Sequence, residues 1–162
     1  MKFKSIISHT ILAVLGIFIS YTLCAQESRA SLKWRNPAEE NFPVIEGQGW
    51  PKEVKGYFDR LPSRAETKLR PAVWGLSHNS AGGYINFKTN ATNIVVRYKV
   101  TGNHSMAHMP ATGVSGVDLY ARDINGEWQW ASGRYSFGDT LEYRFSNLSL
   151  SAKEEEFRLY LP

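Results

Sequence analysis

The groups most able to do chemistry lie in one run, His104-Ser-Met-Ala-His-Met-Pro-Ala-Thr-Gly-Val-Ser-Gly-Val-Asp-Leu-Tyr120. It reads as a loop that turns into a strand. A loop this rich in imidazole, thioether, hydroxyl and carboxylate groups is costly to keep unless it packs against something or binds something. Acyl transfer needs an activated nucleophile, and Ser115 stands in Gly113-Val-Ser-Gly-Val117. A nucleophile elbow requires glycine two residues after the serine, because a side chain there clashes with the sharp turn. Val117 occupies that position, and no Gly-Asp-Ser block occurs in the chain. A triad of Ser115, His108 and Asp118 can be written from the sequence, but nearness in sequence is not geometry. Asp118 has a simpler reading, as an inward polar side chain tying the amides of a neighbouring loop.

Metal chemistry would start from His104 and His108, four residues apart in a Gly- and Pro-containing loop. A closed zinc site needs further ligands. Beyond the first 25 residues His78 is the only other histidine, and no cysteine is available. The expectation is no metal and no cofactor, with histidines that pack or hydrogen-bond. Carbohydrate binding has more to stand on. Trp74, Tyr120, Trp128, Trp130 and Tyr135 offer flat apolar surfaces suited to the C–H faces of sugar rings. Aromatics alternating along strands are nevertheless core more often than site. Trp128 and Trp130 fall on one face of their strand, so the pair distinguishes the two readings.

These residues must be held by β-structure. Residues 26–50 form a polar lead-in with aromatic anchors Trp34, Phe42 and Trp50. The spacing of Val54, Tyr57, Phe58 and Leu61 predicts one or two helical turns after Pro51, stopped by Pro62. From Leu69 onward the pattern is β. Ala72-Val-Trp-Gly-Leu76 is short and apolar, and Tyr84-Ile-Asn-Phe-Lys88 alternates. Ile94-Val-Val-Arg-Tyr-Lys-Val100 is the strongest strand. The turn cluster Thr89-Asn-Ala-Thr-Asn93 predicts a hairpin joining these last two. Residues 116–122 and 127–131 flank the Asp123-Ile-Asn-Gly126 turn. Residues 141–145 and 156–161 alternate again. Short strands, turn residues and little helix predict an all-β fold, an antiparallel β-sandwich of jelly-roll-like form. The last strand reaches Pro162 with no closing turn, which suits a chain that continues.

The ends and the composition set the context. Lys2 and Lys4 precede a mostly apolar run from Ile6 to Leu23, and Leu23-Cys24-Ala25 closes it with small residues. This is the pattern of a secretory signal peptide. The expected organisation is a signal over 1–25, the lead-in over 26–50 and a single sandwich domain over 51–162. The sole cysteine, Cys24, would leave with the signal, so the exported domain needs a real hydrophobic core. About 137 residues suffice for one. The formal charge of +4 is spread without a basic stripe, so nucleic acid is not an expected partner. The mature chain is expected in the periplasm or outside the cell, with no stable membrane association.

Two stretches carry a family resemblance. One is Arg60-Leu-Pro62 with Val73-Trp-Gly-Leu-Ser-His-Asn-Ser-Ala-Gly82, followed by Ile85-Asn-Phe87 and Ile94-Val-Val-Arg97. The other is Met106-Ala-His-Met-Pro-Ala-Thr-Gly-Val-Ser-Gly-Val-Asp-Leu-Tyr-Ala121. Together they resemble the N-terminal domain of exported bacterial SGNH-type (GDSL-like) esterases, whose hallmark Gly-x-Asp-Leu-Tyr stands here as Gly116-Val-Asp-Leu-Tyr120. The resemblance implies a jelly-roll sandwich that precedes a hydrolase domain. It implies that the catalytic serine, oxyanion-hole groups and histidine belong to that later domain. It therefore implies an accessory module that is not itself an enzyme. The implied partner is the SGNH hydrolase domain, in cis in relatives and in trans for a stand-alone chain, with a glycan as a further ligand. The expected docking or ligand surface comprises Trp74, His78, Asn79, His104, Met106, His108, Met109, Pro110, Asp118 and Tyr120. The rival reading is an independent carbohydrate-binding module.

Overall fold

The computed structural model describes residues 32–42, 44–148 and 154–162. The expected signal segment and residues 149–153 of the connection before the last strand lie outside the described residues. Asn36–Pro162 forms one compact unit.

Among the described residues eight strands make two antiparallel sheets, as the alternating pattern predicts. The strands are β1 (Ile45–Glu46), β2 (Tyr84–Thr89), β3 (Asn93–Tyr98), β4 (Asp118–Arg122), β5 (Trp128–Ala131), β6 (Gly133–Phe137), β7 (Leu141–Ser146) and β8 (Glu155–Tyr160). The larger sheet runs β1-β2-β8-β4-β5 and the smaller β3-β7-β6. Period-two alternation sends one set of side chains from each sheet into the space between them. From the larger sheet these are Ile45, Ile85, Leu119, Phe157 and Leu159; from the smaller, Leu141, Tyr143 and Phe145. Leu119, Leu141 and Phe157 have no exposed surface. Each such side chain contributes about 1.5–3 kcal/mol by leaving water. β1 comes from the segment read as a lead-in.

Four expectations are corrected. Residues 89–93 do not close a hairpin: β2 pairs with β1 and β8, while β3 pairs with β7 in the other sheet. Thr89 Oγ1 accepts the Ala91 N–H at 3.0 Å, and the chain crosses between sheets there. A turn-rich linker looks alike in both cases. Ala72–Leu76 is not a strand but part of a helix, Pro71–Leu76. Pro71 at its start presets the helical φ and needs no amide donor. The expected turns of helix after Pro51 are replaced by tight turns and an isolated bridge between Val54 and Pro62. There the Asp59 carboxylate captures the Gly56 N–H at 2.8 Å, so that amide is lost to a helical ladder. The 104–116 loop contains a short helix, Ala111–Ser115, led by Pro110. β6 was not foreseen, because Gly133 opens it and its aromatics sit beside polar residues.

The register decides what lies near what. Tyr84 at the start of β2, Tyr160 at the end of β8 and Asp118 at the start of β4 are level with one another. The segments entering β2 and β4 and the chain leaving β8 therefore share one end of the larger sheet. Leu161 N–H donates to Gly83 O at 3.0 Å, and the Ser80 hydroxyl donates to Pro162 O at 2.7 Å.

Candidate docking end and outer sheet face

At the shared end, the segment before β2 is braced from below. Arg60 Nη2 donates to Leu76 O at 2.7 Å and the Ser77 hydroxyl to Trp74 O at 2.7 Å, which fixes the C-terminus of the Pro71–Leu76 helix. Gln48 Nε2 donates to the carbonyls of Tyr57 and Asp59, both at 2.9 Å. The buried Asp59 meets His78 Nδ1 at 2.9 Å. An ionised carboxylate only accepts, so His78 Nδ1 donates this bond while the ring stays exposed. The His78 ring stands edge-on to Trp74 with centroids 5.0 Å apart. Asn79 caps this turn through its N–H to Leu76 O at 3.3 Å and keeps its side chain exposed. Leu76 is 60% exposed. Sequence reading found His78 and Trp74 but missed Asp59, whose partner lies nineteen residues away.

The second loop folds back on itself. Met106 and Met109 exchange backbone hydrogen bonds at 3.0 and 3.2 Å, with His108 exposed within the turn. Met106 is 56% exposed and Met109 38%. Pro110 then starts the Ala111–Ser115 helix. The His104 ring stands edge-on to Phe137, centroids 6.1 Å apart. The Ser115 hydroxyl, in a residue 1% exposed, donates to His104 O at 3.0 Å. The Tyr98 hydroxyl donates to Ser115 O, and burial pushes that phenol well above its ordinary range. Ser115 thus ties the loop down, and no hydrogen bond joins it to His108 or Asp118. Among the described residues no group of three His, Cys, Asp or Glu comes together to hold a metal ion. The loops over 76–83 and 104–117 share an end of the sheet without a hydrogen bond or ring contact between them.

The Gly, Asp, Leu and Tyr of the Gly-x-Asp-Leu-Tyr run each have a structural role, and Val117 between them is buried. A Cβ on Gly116 would stand 2.1 Å from Thr112 O and 2.7 Å from the Tyr143 hydroxyl. Leu119 is core. Asp118 and Tyr120 face outward, which corrects the inward reading of Asp118. Its Oδ1 accepts the Trp130 indole N–H at 3.1 Å. Trp128 and Trp130 lie on this same outer face, and Trp130 is 59% exposed. Tyr120 stands edge-on to Tyr160 at 5.6 Å, and Tyr160 is tilted against Tyr84 at 5.4 Å. The Arg158 guanidinium carbon lies 4.4 Å from the ring centres of both Tyr84 and Trp128. Arg158 Nε donates to Asn86 Oδ1 at 3.1 Å, and Asn86 Nδ2 donates to Glu46 Oε1 at 2.8 Å. Tyr84 donates to the same carboxylate at 3.0 Å, and that bond first of all raises its pKa. Tyr135 lies elsewhere, on β6 against Phe137 and Tyr143. Arg158, Tyr84 and Asn86 were missed as site residues, although the alternation of their strands already set them on one face.

Fold and site together define a two-sheet β-module organised around one Gly-x-Asp-Leu-Tyr strand. The chain belongs to the GxDLY family, the N-terminus of SGNH-hydrolase-type esterases, which matches residues 32–162. It is similar to the crystal structure of a GDSL-like lipase from Bacteroides ovatus, with 29% identity and a TM-score of 0.63. That match covers 74% of this chain and 34% of the lipase, so the chain spans about a third of that protein's length. No curated protein shows significant similarity to it. Among the described residues no helix is long and apolar enough to cross a membrane.

Proposed function

We propose that this domain is the accessory part of an exported, carbohydrate-directed SGNH-type esterase, and that it packs on the hydrolase domain through the loop end of its larger sheet. The observation that carries this is the exposure of Met106, Met109 and Leu76 on the two segments beside which β8 ends. A hydrolase domain joined after Pro162 would begin at this end of the larger sheet. Thioether side chains adapt to irregular partner surfaces. His78, oriented by Asp59, adds one directed polar contact at the same end. The basic-then-apolar start of the chain supports export, and the aromatic outer face supports a carbohydrate ligand.

The test supplies the SGNH hydrolase domain of a family member, stripped of its own N-terminal domain, and measures association by calorimetry. Leu76→Asp and Met106→Asp place charges on exposed positions and are expected to weaken association at least tenfold without unfolding the chain. Equal association of these variants would defeat the docking reading. Export is checked by cell fractionation: retention of the whole chain in the cytoplasm would remove that part.

A further inference from the structure

The outer face of the larger sheet has an unusual charge arrangement. Its three carboxylates are already engaged: Glu46 by Tyr84 and Asn86, Asp118 by Trp130, and Glu156 by Arg122 at 3.0 Å. Among the described residues Arg158 hydrogen-bonds only neutral groups, Asn86 and, at 3.5 Å, the Tyr160 hydroxyl, although the Glu46 carboxylate acts on it through space. Among the described residues its Nη2 has no hydrogen-bond partner. The guanidinium is nevertheless held in place, by the bond to Asn86 and by the Tyr84 and Trp128 rings it lies over. A stacked guanidinium is weakly hydrated and presents its N–H fork edgewise, a geometry that fits a carboxylate. Because it is already ordered, little side-chain entropy is lost on binding.

Trp130 lies two strands away, with Tyr120 between them: Arg158 pairs with Tyr120, and Tyr120 with Trp130. Two strand spacings are about 10 Å, a span that two linked pyranose rings cover. Trp130 keeps its indole N–H on Asp118, which fixes the ring while leaving most of it exposed.

We infer that this face binds an acidic glycan, with a uronate carboxylate on the free edge of Arg158 and a neighbouring sugar ring against Trp130. The inference names the ligand class for the carbohydrate reading above and rests on that reading; it is independent of docking at the loop end.

The experiment titrates the purified chain, by calorimetry and tryptophan fluorescence, with trigalacturonate and with a glucuronate-bearing xylo-oligosaccharide. Each is paired with its methyl ester, which keeps the rings and removes the charge. At least one acid is expected to bind about tenfold or more tighter than its ester. Arg158→Gln should erase that difference, and Trp130→Ala, at an exposed position, should weaken acid and ester alike. Equal binding of acid and ester, or a difference that survives Arg158→Gln, would overturn the acidic class while leaving a carbohydrate ligand. Binding of neither would overturn the carbohydrate reading as well. Loss of hydrolase-domain association in Trp130→Ala would show that this face is a domain interface and would also overturn the inference.

Discussion

The indole N–H of Trp130 donates to Asp118 Oδ1 at 3.1 Å, linking β5 to the motif strand β4 on the solvent side. The motif aspartate is therefore a bracket on an outer surface. A hydrogen bond to a charged acceptor is screened when it is exposed to water, which brings its net worth down to about 1 kcal/mol. Asp118→Ala is expected to destabilise the fold by no more than that, and to change tryptophan emission as Trp130 loses its partner. Asp118→Asn retains an acceptor and should behave nearly as the parent. Urea titration followed by fluorescence checks both variants. A loss of several kcal/mol in Asp118→Ala would mean that the residue holds more than one ring.

Gly116 is required for space. Its φ of −79° is open to any residue, but a Cβ would stand 2.1 Å from Thr112 O and 2.7 Å from the Tyr143 hydroxyl. Forcing atoms into such a site costs about 1–3 kcal/mol or more as backbone shifts. Gly116→Ala should lower the urea midpoint accordingly. Gly102→Ala, where nothing lies within 4 Å, should stay within about 0.5 kcal/mol. Equal effects at the two glycines would contradict this account.

Much of the larger sheet was legible in the alternation of residues 84–88, 116–122 and 156–161, because period two survives wherever one face is buried. Sheet membership was not legible. Thr89–Asn93 looks like any tight turn, and only the pairing of Phe87 with Phe157 and Val96 with Tyr143 reveals that it crosses between layers. The Pro71–Leu76 segment misled because a short apolar run has no periodicity to separate strand from helix. Trp74, His78, Met106 and Met109 were recognisable by type. The Asp59–His78 and Arg158–Asn86 pairs were not, since they join residues 19 and 72 positions apart. Tertiary pairing of this kind leaves no local signature.

Asp59 is buried, with the Gly56 N–H on one oxygen and His78 Nδ1 on the other, at 2.8 and 2.9 Å. Removing the carboxylate strands that backbone donor in a poorly solvated place, at about 1–3 kcal/mol. Asp59→Ala is expected to destabilise the fold by this amount and to loosen the 48–62 turns, seen as faster amide exchange at Gly56. His78→Ala removes only the exposed partner and should cost about 1 kcal/mol or less. Nitrogen-15 spectra should find the His78 proton on Nδ1 in the parent and redistributed in Asp59→Ala. A ring already mixed between tautomers in the parent would deny the pair its orienting role.

The β4–β5 turn supplies a prediction in pH. The Asp123 carboxylate accepts the Glu127 and Asn125 N–H groups, each at 2.9 Å, and Gln129 Nε2 at 3.1 Å. These bonds, the one from Glu127 first, hold its pKa below the ordinary carboxylate range. The unfolded chain titrates near the usual value of about 3.9. A folded value below the unfolded one means that the unfolded state takes up protons first as pH falls. The stabilisation is therefore complete above about pH 4 and is lost as pH drops through the folded value. Glu142, held low first by its hydrogen bond to Arg97, follows the same sign. Asp123→Asn keeps the turn's shape but not its charge, so its melting temperature should lie below the parent's at neutral pH. The gap should close as the pH is brought down through the folded value. A gap of constant size across that range would assign the turn's stability to shape alone.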